Sequence, residues 1–436
     1  MKTLEDWLAH LEGLHPKGQA GIELGLERIR LVKAALGQTQ HCPVIVVGGT
    51  NGKGSTCAYL ESIIDRAGYK VGCYTSPHLL VYNERVRVSG QQVGDEALCA
   101  AFARVENARQ QAGNVALTYF EFGTLAAWEV FAAANVEAAV LEVGLGGRLD
   151  AVNAYEPDVS IVTTIALDHT EWLGPDRESI GFEKAGIYRA GKPALCADPL
   201  PPQSLLDHAA AIGADLRLIG RDFGFERPSA ETGENRLQWR WWCRSGEQLI
   251  KRALAYPGLR GPTQLYNAAV ALAALDVLGD KLPVTMQAIR PGLIETELAG
   301  RFQVLPGKPA IVLDVGHNPQ AIKVLTDNLA NMGFFDRTLA VVGMLSDKDI
   351  FTALQPLKGK VDAWHVASLG GPRGTQAETL AAIIVASQLG GEVVTHASPE
   401  AAMQAAKGQA AESDRILAFG SFHTVAGALQ ALRGKP

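Results

Sequence analysis

The stretch Pro43-Val-Ile-Val-Val-Gly-Gly-Thr-Asn-Gly-Lys-Gly-Ser-Thr56 decides the fold of this chain. Its apolar run, Val44 to Val47, predicts a buried strand, and four glycines within seven residues then lead into a segment with apolar residues at helical spacing. Glycines let backbone N–H groups curl around an anion, and a helix N-terminus adds free N–H groups and a favourable dipole. The stretch therefore predicts a phosphate site, with Lys53 as its point charge and Ser55 or Thr56 as a hydroxyl for Mg²⁺.

The same stretch departs from the ordinary phosphate-loop pattern. That pattern, G-x-x-x-x-G-K-[ST], requires glycine at position 47 and Ser or Thr at position 54, whereas this chain has Val47 and Gly54. The alternative interpretation is a glycine-rich turn that binds nothing. We favour the phosphate site, because packing alone does not explain a lysine inside such a turn between a strand and a helix.

Length and composition limit the number of domains and the classes of function that this chain can have. A chain of 436 residues predicts two or three domains. The net charge of −6 argues against a general nucleic-acid or membrane-surface binder. The six cysteines include no C-x-x-C pair, which is typical of reduced thiols. No secretory pattern and no apolar run of about 20 residues is present, so we expect a cytoplasmic protein, and a monomer by default.

The order of elements predicts an α/β protein of two domains. Residues 1–297 alternate strands and helices around a mostly parallel sheet, with an antiparallel patch appended at about 199–257. Residues 298–436 restart the strand–helix rhythm and predict a smaller Rossmann-like domain. That second domain lacks G-x-G-x-x-G after its first strand, so dinucleotide binding is not indicated. We place the linker near residues 297–301. Within the first domain, the residue pattern predicts a helix over about 23–36, a short extended segment over 83–88 and a strand over 159–166.

Three polar side chains follow strands that would lie beside the phosphate loop: Ser76, Glu142 and His169. Ligands bind at the carboxyl ends of parallel strands in open α/β sheets, and an unpaired carboxylate is costly to bury. We therefore predict a Mg²⁺ site made from a hydroxyl, a carboxylate and an imidazole. The alternatives are an ion pair between Glu142 and Arg148 and a purely structural histidine.

Other candidate site residues lie further along the chain. Lys184 sits on a predicted helix, where spacing alone favours a solvated lysine. Asp314 and His317 follow the first strand of the second domain, and the Asn-Pro pair after them predicts an N-cap followed by proline at the first helical position. Arg301 stands just after the linker, where domain closure could bring it onto a phosphate. Ser421 suits a small carboxylate ligand or, equally, a plain helix cap.

The phosphate loop Gly49-Thr-Asn-Gly-Lys-Gly-Ser55 resembles that of the Mur ligase superfamily, ATP-dependent enzymes that form amide bonds. Within it, ordered blocks from about residue 7 to 427 resemble the dihydrofolate synthase/folylpolyglutamate synthase family, and only the region 199–256 has no recognisable block. The blocks are Ser76–Leu79, Asn83–Arg87, Leu141–Ala151, Asp168–Gly174, Glu183–Ile187, Gly300–Gln303, Asp314–Pro319 and Gly420–Thr424, with Ile22–Leu26 and Thr118–Phe122 typical of the bifunctional members.

The resemblance implies a role for each matched residue. ATP would be held by Thr50, Asn51, Gly52, Lys53, Gly54, Asn267, Arg301 and Asp314. Mg²⁺ would be bound by Ser76, Glu142 and His169. Lys53, His169 and Lys184 would be catalytic, and Lys184 would be carbamylated near a second Mg²⁺. The pterin substrate would be lined by Ile22, Glu23, Leu24, Thr118, Tyr119, Phe120, Glu121, Leu149, Asp150 and Ala151. His317 and Ser421 would meet the incoming glutamate.

The implied reaction joins L-glutamate to dihydropteroate, and further glutamates to reduced folates, through an acyl phosphate with release of ADP and phosphate. Its partners would be small molecules, with no nucleic acid and no membrane, and the linker would act as a hinge for domain closure. Three alternatives stay open: an enzyme that only extends folates, a Mur-type ligase for cell-wall precursors, and a nucleotide-binding regulatory module without ligase activity. The pterin-site blocks disfavour the second, and the predicted metal set disfavours the third.

Overall fold

The structure of the protein is a computed structural model that describes residues 3–16, 22–228, 237–246 and 248–433. It divides into two compact units. The first comprises Met1–Gly258 with Gln264–Thr296, and the second comprises Leu259–Thr263 with Glu297–Pro436. Across the described ranges, no helix combines the length and the hydropathy that a bilayer crossing requires.

The first unit is built on an eight-stranded sheet and a separate three-stranded one. Its strands are β1 (Val44–Gly48), β2 (Val71–Tyr74), β3 (Val86–Val88), β4 (Gln91–Gln92), β5 (Ala138–Glu142), β6 (Val159–Val162), β7 (Pro193–Cys196), β8 (Asp215–Leu218), β9 (Phe223–Glu226), β10 (Gln238–Ser245) and β11 (Gln248–Ala255). The large sheet has the order β4-β3-β2-β5-β1-β6-β7-β8, and the small sheet has the order β11-β10-β9. From β2 to β8 all neighbours run parallel, while β3, β4 and the small sheet are antiparallel.

Helices cover both faces of the large sheet. They are α1 (Leu4–Leu14), α2 (Glu27–Ala35), α3 (Lys53–Arg66), α4 (Asp95–Gln111), α5 (Tyr119–Ala134), α6 (Thr170–Leu173), α7 (Arg177–Ala185), α8 (Gln203–Ile212), α9 (Gln264–Val277) and α10 (Met286–Ile294). The first core cluster joins α1, α2, α4 and α5 to one another and to the sheet. The helix α3 packs against α9 and α10. All five residues of β1 are buried, as expected for a strand covered on both faces.

The second unit is a six-stranded sheet with its own core. Its strands are β12 (Gln303–Leu305), β13 (Ala310–Asp314), β14 (Thr338–Val342), β15 (Ala363–Ala367), β16 (Glu392–His396) and β17 (Arg415–Phe419), in the order β12-β13-β17-β14-β15-β16. Its helices are α11 (Pro319–Ala330), α12 (Ile350–Leu354), α13 (Ala377–Ala386), α14 (Pro399–Gln409) and α15 (Phe422–Arg433). Only β12 pairs antiparallel within the described sheet. The predicted α/β architecture, a larger parallel-rich unit with a smaller one, is confirmed.

Several element boundaries differ from the sequence predictions. The second helix begins at Glu27 and not at about residue 23, so Ile22–Gly25 is free to line a cavity. The segment predicted as extended over 83–88 starts as a 3₁₀ turn, Tyr82–Arg85. The strand predicted over 159–166 ends at Val162, because the chain then crosses to contact the phosphate loop. The region 199–257 contains the predicted antiparallel patch, but it also contributes α8 and the last strand of the large sheet.

Candidate active site

The phosphate loop has the predicted strand–turn–helix form. The strand β1 ends at Gly48 and α3 begins at Lys53, with Gly52 as its N-cap at φ 96°. The segment after β6 holds the turn in place: the Thr50 N–H donates to the Thr164 carbonyl at 2.6 Å, and the Thr163 hydroxyl donates to the Asn51 carbonyl at 2.8 Å. Sequence reasoning missed these two threonines, although two hydroxyls at the end of an apolar strand were a visible signal.

Two glycines of the turn are required by close approach. A Cβ on Gly49 would overlap the hydroxyl of Thr163. A Cβ on Gly52 would lie 2.5 Å from the Asn267 side-chain oxygen. Both glycines also have positive φ, a region that L side chains rarely occupy. Asn267, predicted as an ATP contact, therefore lies directly against the phosphate loop.

Two lysine ammonium groups point at the same loop carbonyl. Lys53 Nζ donates to the carbonyl oxygens of Gly49 at 3.1 Å and Thr50 at 3.2 Å, and Lys184 Nζ donates to the Gly49 oxygen at 3.0 Å. Lys184 is only 4% exposed, so the alternative of a solvated helix lysine is wrong. Burial, and after it the positive charge of Lys53, lowers the pKa of Lys184 to about 7.

The predicted metal ligands lie at or after the carboxyl ends of β2, β5 and β6 in the large sheet. Glu142 ends β5 opposite Val47 of β1, and its carboxylate accepts the Ser76 N–H at 3.0 Å. Glu142 is buried, and Arg148 pairs with Glu183 at 2.8 Å, so the alternative of an Arg148 ion pair is wrong. The third predicted ligand, His169, adopts a left-handed conformation at φ 52°, and its N–H donates to the Asp168 carboxylate at 2.9 Å.

The chemistry of this donor set fits a hard cation. Magnesium prefers oxygen ligands and retains several waters, and the edge offers a buried carboxylate and a serine hydroxyl. The Thr56 hydroxyl, in the first turn of α3, is fully buried and has no hydrogen-bond partner among the described residues. Ser55, by contrast, accepts from Gln264 at 3.4 Å. Groups of three or more His, Cys, Asp or Glu side chains in metal-binding geometry are absent from the described ranges, and the predicted set contains only two such residues.

A cavity of about 250 Å³ in the first unit brings together the residues predicted to bind the pterin. Three separate chain segments converge there, beside two of the predicted metal ligands. The predicted residues in its wall are Ile22, Glu23, Leu24, Thr118, Tyr119, Phe120, Glu121, Leu149, Asp150, Ala151, Ser76 and His169. The wall also contains Gly25, Pro77, Arg85, Gly144 and Leu145, which the prediction left out.

Acidic groups in this wall are held by internal contacts. Arg28 donates to Glu23 at 2.5 Å and to Glu121 at 3.2 Å. The Asp150 carboxylate accepts backbone N–H groups of Leu145 and Val152, each at 2.9 Å. Burial still raises the pKa of Asp150 to about 7, and the backbone donors offset only part of that effect.

The second unit carries the remaining predicted residues. Asp314 ends β13 and accepts the N–H groups of Phe302 at 2.9 Å and Gly316 at 2.7 Å; burial raises its pKa, and the nearby charge of Arg301 opposes the rise. The Arg301 guanidinium lies over the ring of Phe422, at 5.1 Å from its centroid. Ser421 accepts the Thr424 N–H at 3.0 Å, which is the capping geometry of its alternative interpretation. One ring nitrogen of His317 lies 2.9 Å from the Val315 carbonyl oxygen.

Comparison with known proteins identifies clear relatives. The family model "Mur ligase, glutamate ligase domain" matches residues 300–422. The chain is 46% identical to the dihydrofolate synthase/folylpolyglutamate synthase of Escherichia coli, over 98% of this chain and 95% of that protein.

Solved structures agree with the sequence comparison. The structure of E. coli FolC in complex with DHPP and ADP matches with a TM-score of 0.90 and 44% identity, over 99% of this chain and 98% of that one. A bifunctional folylpolyglutamate synthase/dihydrofolate synthase with Mn, AMPPNP and L-glutamate bound matches with a TM-score of 0.88 and 44% identity, over 100% and 99% of the two chains.

Proposed function

Since this chain belongs to the dihydrofolate synthase/folylpolyglutamate synthase family of Mur ligases, we propose that it joins L-glutamate to dihydropteroate and adds further glutamates to reduced folates. The reaction consumes ATP and releases ADP and phosphate. The observation that carries this proposal is the cavity in which the three predicted pterin segments meet Ser76 and His169. A substrate held there has one end beside the edge of the sheet where the phosphate loop lies.

The chemistry explains the use of ATP. A free carboxylate is a poor acylating agent, because oxide is a poor leaving group. Transfer of the γ-phosphoryl group to the pteroate carboxylate gives an acyl phosphate and ADP; the glutamate amine then attacks the acyl carbon, and phosphate leaves. Catalysis of such transfers is mostly positioning and charge stabilisation. We assign the first task to the turn Thr50–Gly54, in which the Thr50 N–H is already bonded to Thr164, and the second task to Lys53.

The metal ligands supply the rest of the charge stabilisation. Ser76, Glu142 and His169 would hold Mg²⁺. The Thr56 hydroxyl, which has no hydrogen-bond partner among the described residues, is a further oxygen ligand close to Lys53 in the sequence. When bound, the ion would offset negative charge on the phosphoryl group. The buried position of Glu142 serves this role, because a carboxylate in a site of low dielectric binds a cation more strongly.

Lys184 has the properties that carbamylation requires. A neutral amine adds CO₂ and releases one proton, giving a carbamate that acts as a carboxylate. The pKa of about 7 means that much of the Lys184 amine is neutral at physiological pH. The carbamate would then serve a second Mg²⁺ site. Carbon-13 bicarbonate should produce a carbamate resonance in the NMR spectrum of the wild type that is absent from Lys184→Met.

We assign the remaining predicted residues to the binding of the pterin, the nucleotide and the glutamate. In the first unit, the lining segments of the cavity would bind the pterin, with Asp150 as a hydrogen-bonding carboxyl, and Asn267 would contact the nucleotide. In the second unit, Arg301 and Asp314 would bind ATP, while His317 and Ser421 would bind glutamate. We further propose that the protein acts on small molecules in the cytoplasm, as a monomer and without nucleic acid or membrane partners.

A coupled assay of ADP release tests the activity. We expect ADP release with dihydropteroate plus glutamate and with tetrahydrofolate plus glutamate, and background rates when either the acid or the amine is omitted. Release that depends on tetrahydrofolate and glutamate alone would identify an enzyme that only extends folates. Release that is independent of glutamate would overturn the proposed function.

A further inference from the structure

The structure points to a carboxylate subsite at Arg85 that none of the assignments above uses. We propose that Arg85 binds the α-carboxylate of the glutamate already attached to a folate substrate, and so serves chain extension and not the first addition. This inference rests on the proposed function, since it names one subsite of the same cavity.

Arg85 lies in the cavity wall, and part of its guanidinium makes no hydrogen bond or ion pair with the described residues. Its Nε donates to His78 Nδ1 at 2.8 Å. Its guanidinium carbon lies 5.3 Å from the ring centroid of Tyr82 and 5.5 Å from that of Tyr119, within the range of cation–π contacts. The two terminal nitrogens have no hydrogen-bond or ion-pair partner in the part of the chain that the structure describes. A fixed guanidinium with free N–H groups is suited to a carboxylate.

The sequence block that contains Arg85 keeps it in this position. Glu84 accepts the N–H groups of Leu79, Leu80 and Val81 at 2.6–2.9 Å, which fixes the loop after Ser76. The Arg87 side chain pairs with Glu61 of α3 at 2.7 Å.

The same Arg87 also bonds to the Thr75 hydroxyl and the Glu84 carbonyl. The neighbours of Arg85 in this block are therefore structural, and Arg85 is the member that reaches the cavity.

The other charged groups of the cavity do not offer an alternative for an anion. Glu23 and Glu121 share Arg28, and the Asp150 carboxylate is bonded to backbone N–H groups. Among the described lining residues, Arg85 is the only arginine or lysine. The acidic groups of this wall, Glu23, Glu121 and Asp150, would repel the carboxylates of a folate.

The position of Arg85 on the sheet selects which carboxylate it binds. Arg85 precedes β3, and the sheet order β3-β2-β5-β1 puts three inter-strand steps, about 14 Å, between β3 and the strand that feeds the phosphate loop. The reacting carboxylate must come within about 3.5 Å of the phosphoryl group. Arg85 therefore serves a carboxylate set back from the reacting one. In an extended folate this is the α-carboxylate; dihydropteroate has none.

Substitution of Arg85 tests this assignment with two substrates. Arg85→Gln removes the positive charge, and Arg85→Lys keeps a positive charge without the planar set of N–H donors. The control is Arg104→Gln, which removes an arginine on α4 that pairs with Glu129 outside the cavity wall. For Arg85→Gln we expect the KM for tetrahydrofolate to rise about 10- to 100-fold, with the KM for dihydropteroate and both kcat values within about twofold. Arg85→Lys should be intermediate, and Arg104→Gln should match the wild type.

A substrate analogue gives a second readout that does not depend on the folding of the variant. The tetrahydropteroyl derivative of 4-aminobutyrate keeps the reacting carboxylate and lacks the α-carboxylate. The wild-type enzyme and Arg85→Gln should bind this analogue with equally weak affinity. Arg85→Gln should also bind tetrahydrofolate no more tightly than it binds the analogue.

The results of these experiments distinguish a failure of the Arg85 subsite from a failure of the proposed function. Equal losses for dihydropteroate and tetrahydrofolate in Arg85→Gln, no loss for either, or a wild-type enzyme indifferent to the α-carboxylate would each overturn the subsite. A wild-type enzyme that releases no glutamate-dependent ADP would instead overturn the proposed function itself.

Discussion

The clearest quantitative test concerns the two glycines at opposite ends of α3. Gly52 precedes the helix at φ 96°, and Gly68 follows it at φ 92°. An L residue in this left-handed region costs about 1–2 kcal/mol, so alanine should strain both positions alike. The two sites differ in their surroundings: a Cβ at Gly52 would lie 2.5 Å from the Asn267 side-chain oxygen, whereas a Cβ at Gly68 would meet no described atom within 4 Å.

The magnitudes follow from these contacts. To accommodate Gly52→Ala, the Asn267 side chain must move and lose its 3.0 Å hydrogen bond to Gln264, at a cost of about 1 kcal/mol. We therefore expect the free energy of unfolding to fall by about 2–3 kcal/mol in Gly52→Ala and by about 1–2 kcal/mol in Gly68→Ala. Because Asn267 and the loop N–H groups are displaced, ADP affinity should fall about tenfold or more in Gly52→Ala only.

Urea unfolding gives the stabilities, and isothermal titration calorimetry with ADP gives the affinities. Gly68→Ala is the matched control, since it carries the same backbone strain on the same helix without touching the loop. Wild-type ADP affinity in Gly52→Ala would refute the assignment of this turn as the phosphate site. An equal loss of affinity in Gly68→Ala would show that helix strain, and not the contact with Asn267, weakens binding.

Three further predictions concern buried ionisable groups. The folded-state pKa of Asp150, about 7, is above its unfolded value, so the wild-type free energy of unfolding should fall as pH rises from about 4 to 7, and Asp150→Asn should flatten this slope in urea titrations. The pKa of Lys184 is lowered to about 7, so stability in CO₂-free buffer should rise from about pH 7 to 10, and Lys184→Met should remove the rise. Glu142→Gln should abolish Mg²⁺-dependent thermal stabilisation with ATP while the metal-free melting temperature does not fall; an unchanged Mg²⁺ response would contradict its role as a ligand.

The strand–turn–helix at the phosphate loop was predictable because each signal is local. An apolar run, glycines that tolerate positive φ and a helical repeat lie within one short stretch, and the structure has each element within about a residue of its predicted place. The predicted helix after Asn318 was equally local, and its cap is confirmed: the Asn318 side chain accepts the Ala321 N–H at 2.9 Å.

What the sequence could not supply is which face of an element meets another element. Lys184 has the spacing of a solvated helix residue, and only the packing of α7 against the turn buries its amine at the Gly49 carbonyl. The second helix was predicted four residues too early, because Leu24 fits a helical repeat although its segment lies in the cavity wall. The strand Asp215–Leu218 was missed because its mixed composition resembles the antiparallel patch that follows it.

The central claim is that the phosphoryl group passes to the carboxylate of the substrate before glutamate attacks. Dihydropteroate labelled with oxygen-18 in its carboxylate, turned over with ATP and glutamate, tests this directly when the released phosphate is examined by phosphorus NMR. An acyl phosphate requires one labelled oxygen to leave with the phosphate in every turnover. Phosphate free of label, formed at the same rate as dihydrofolate, would contradict the claim.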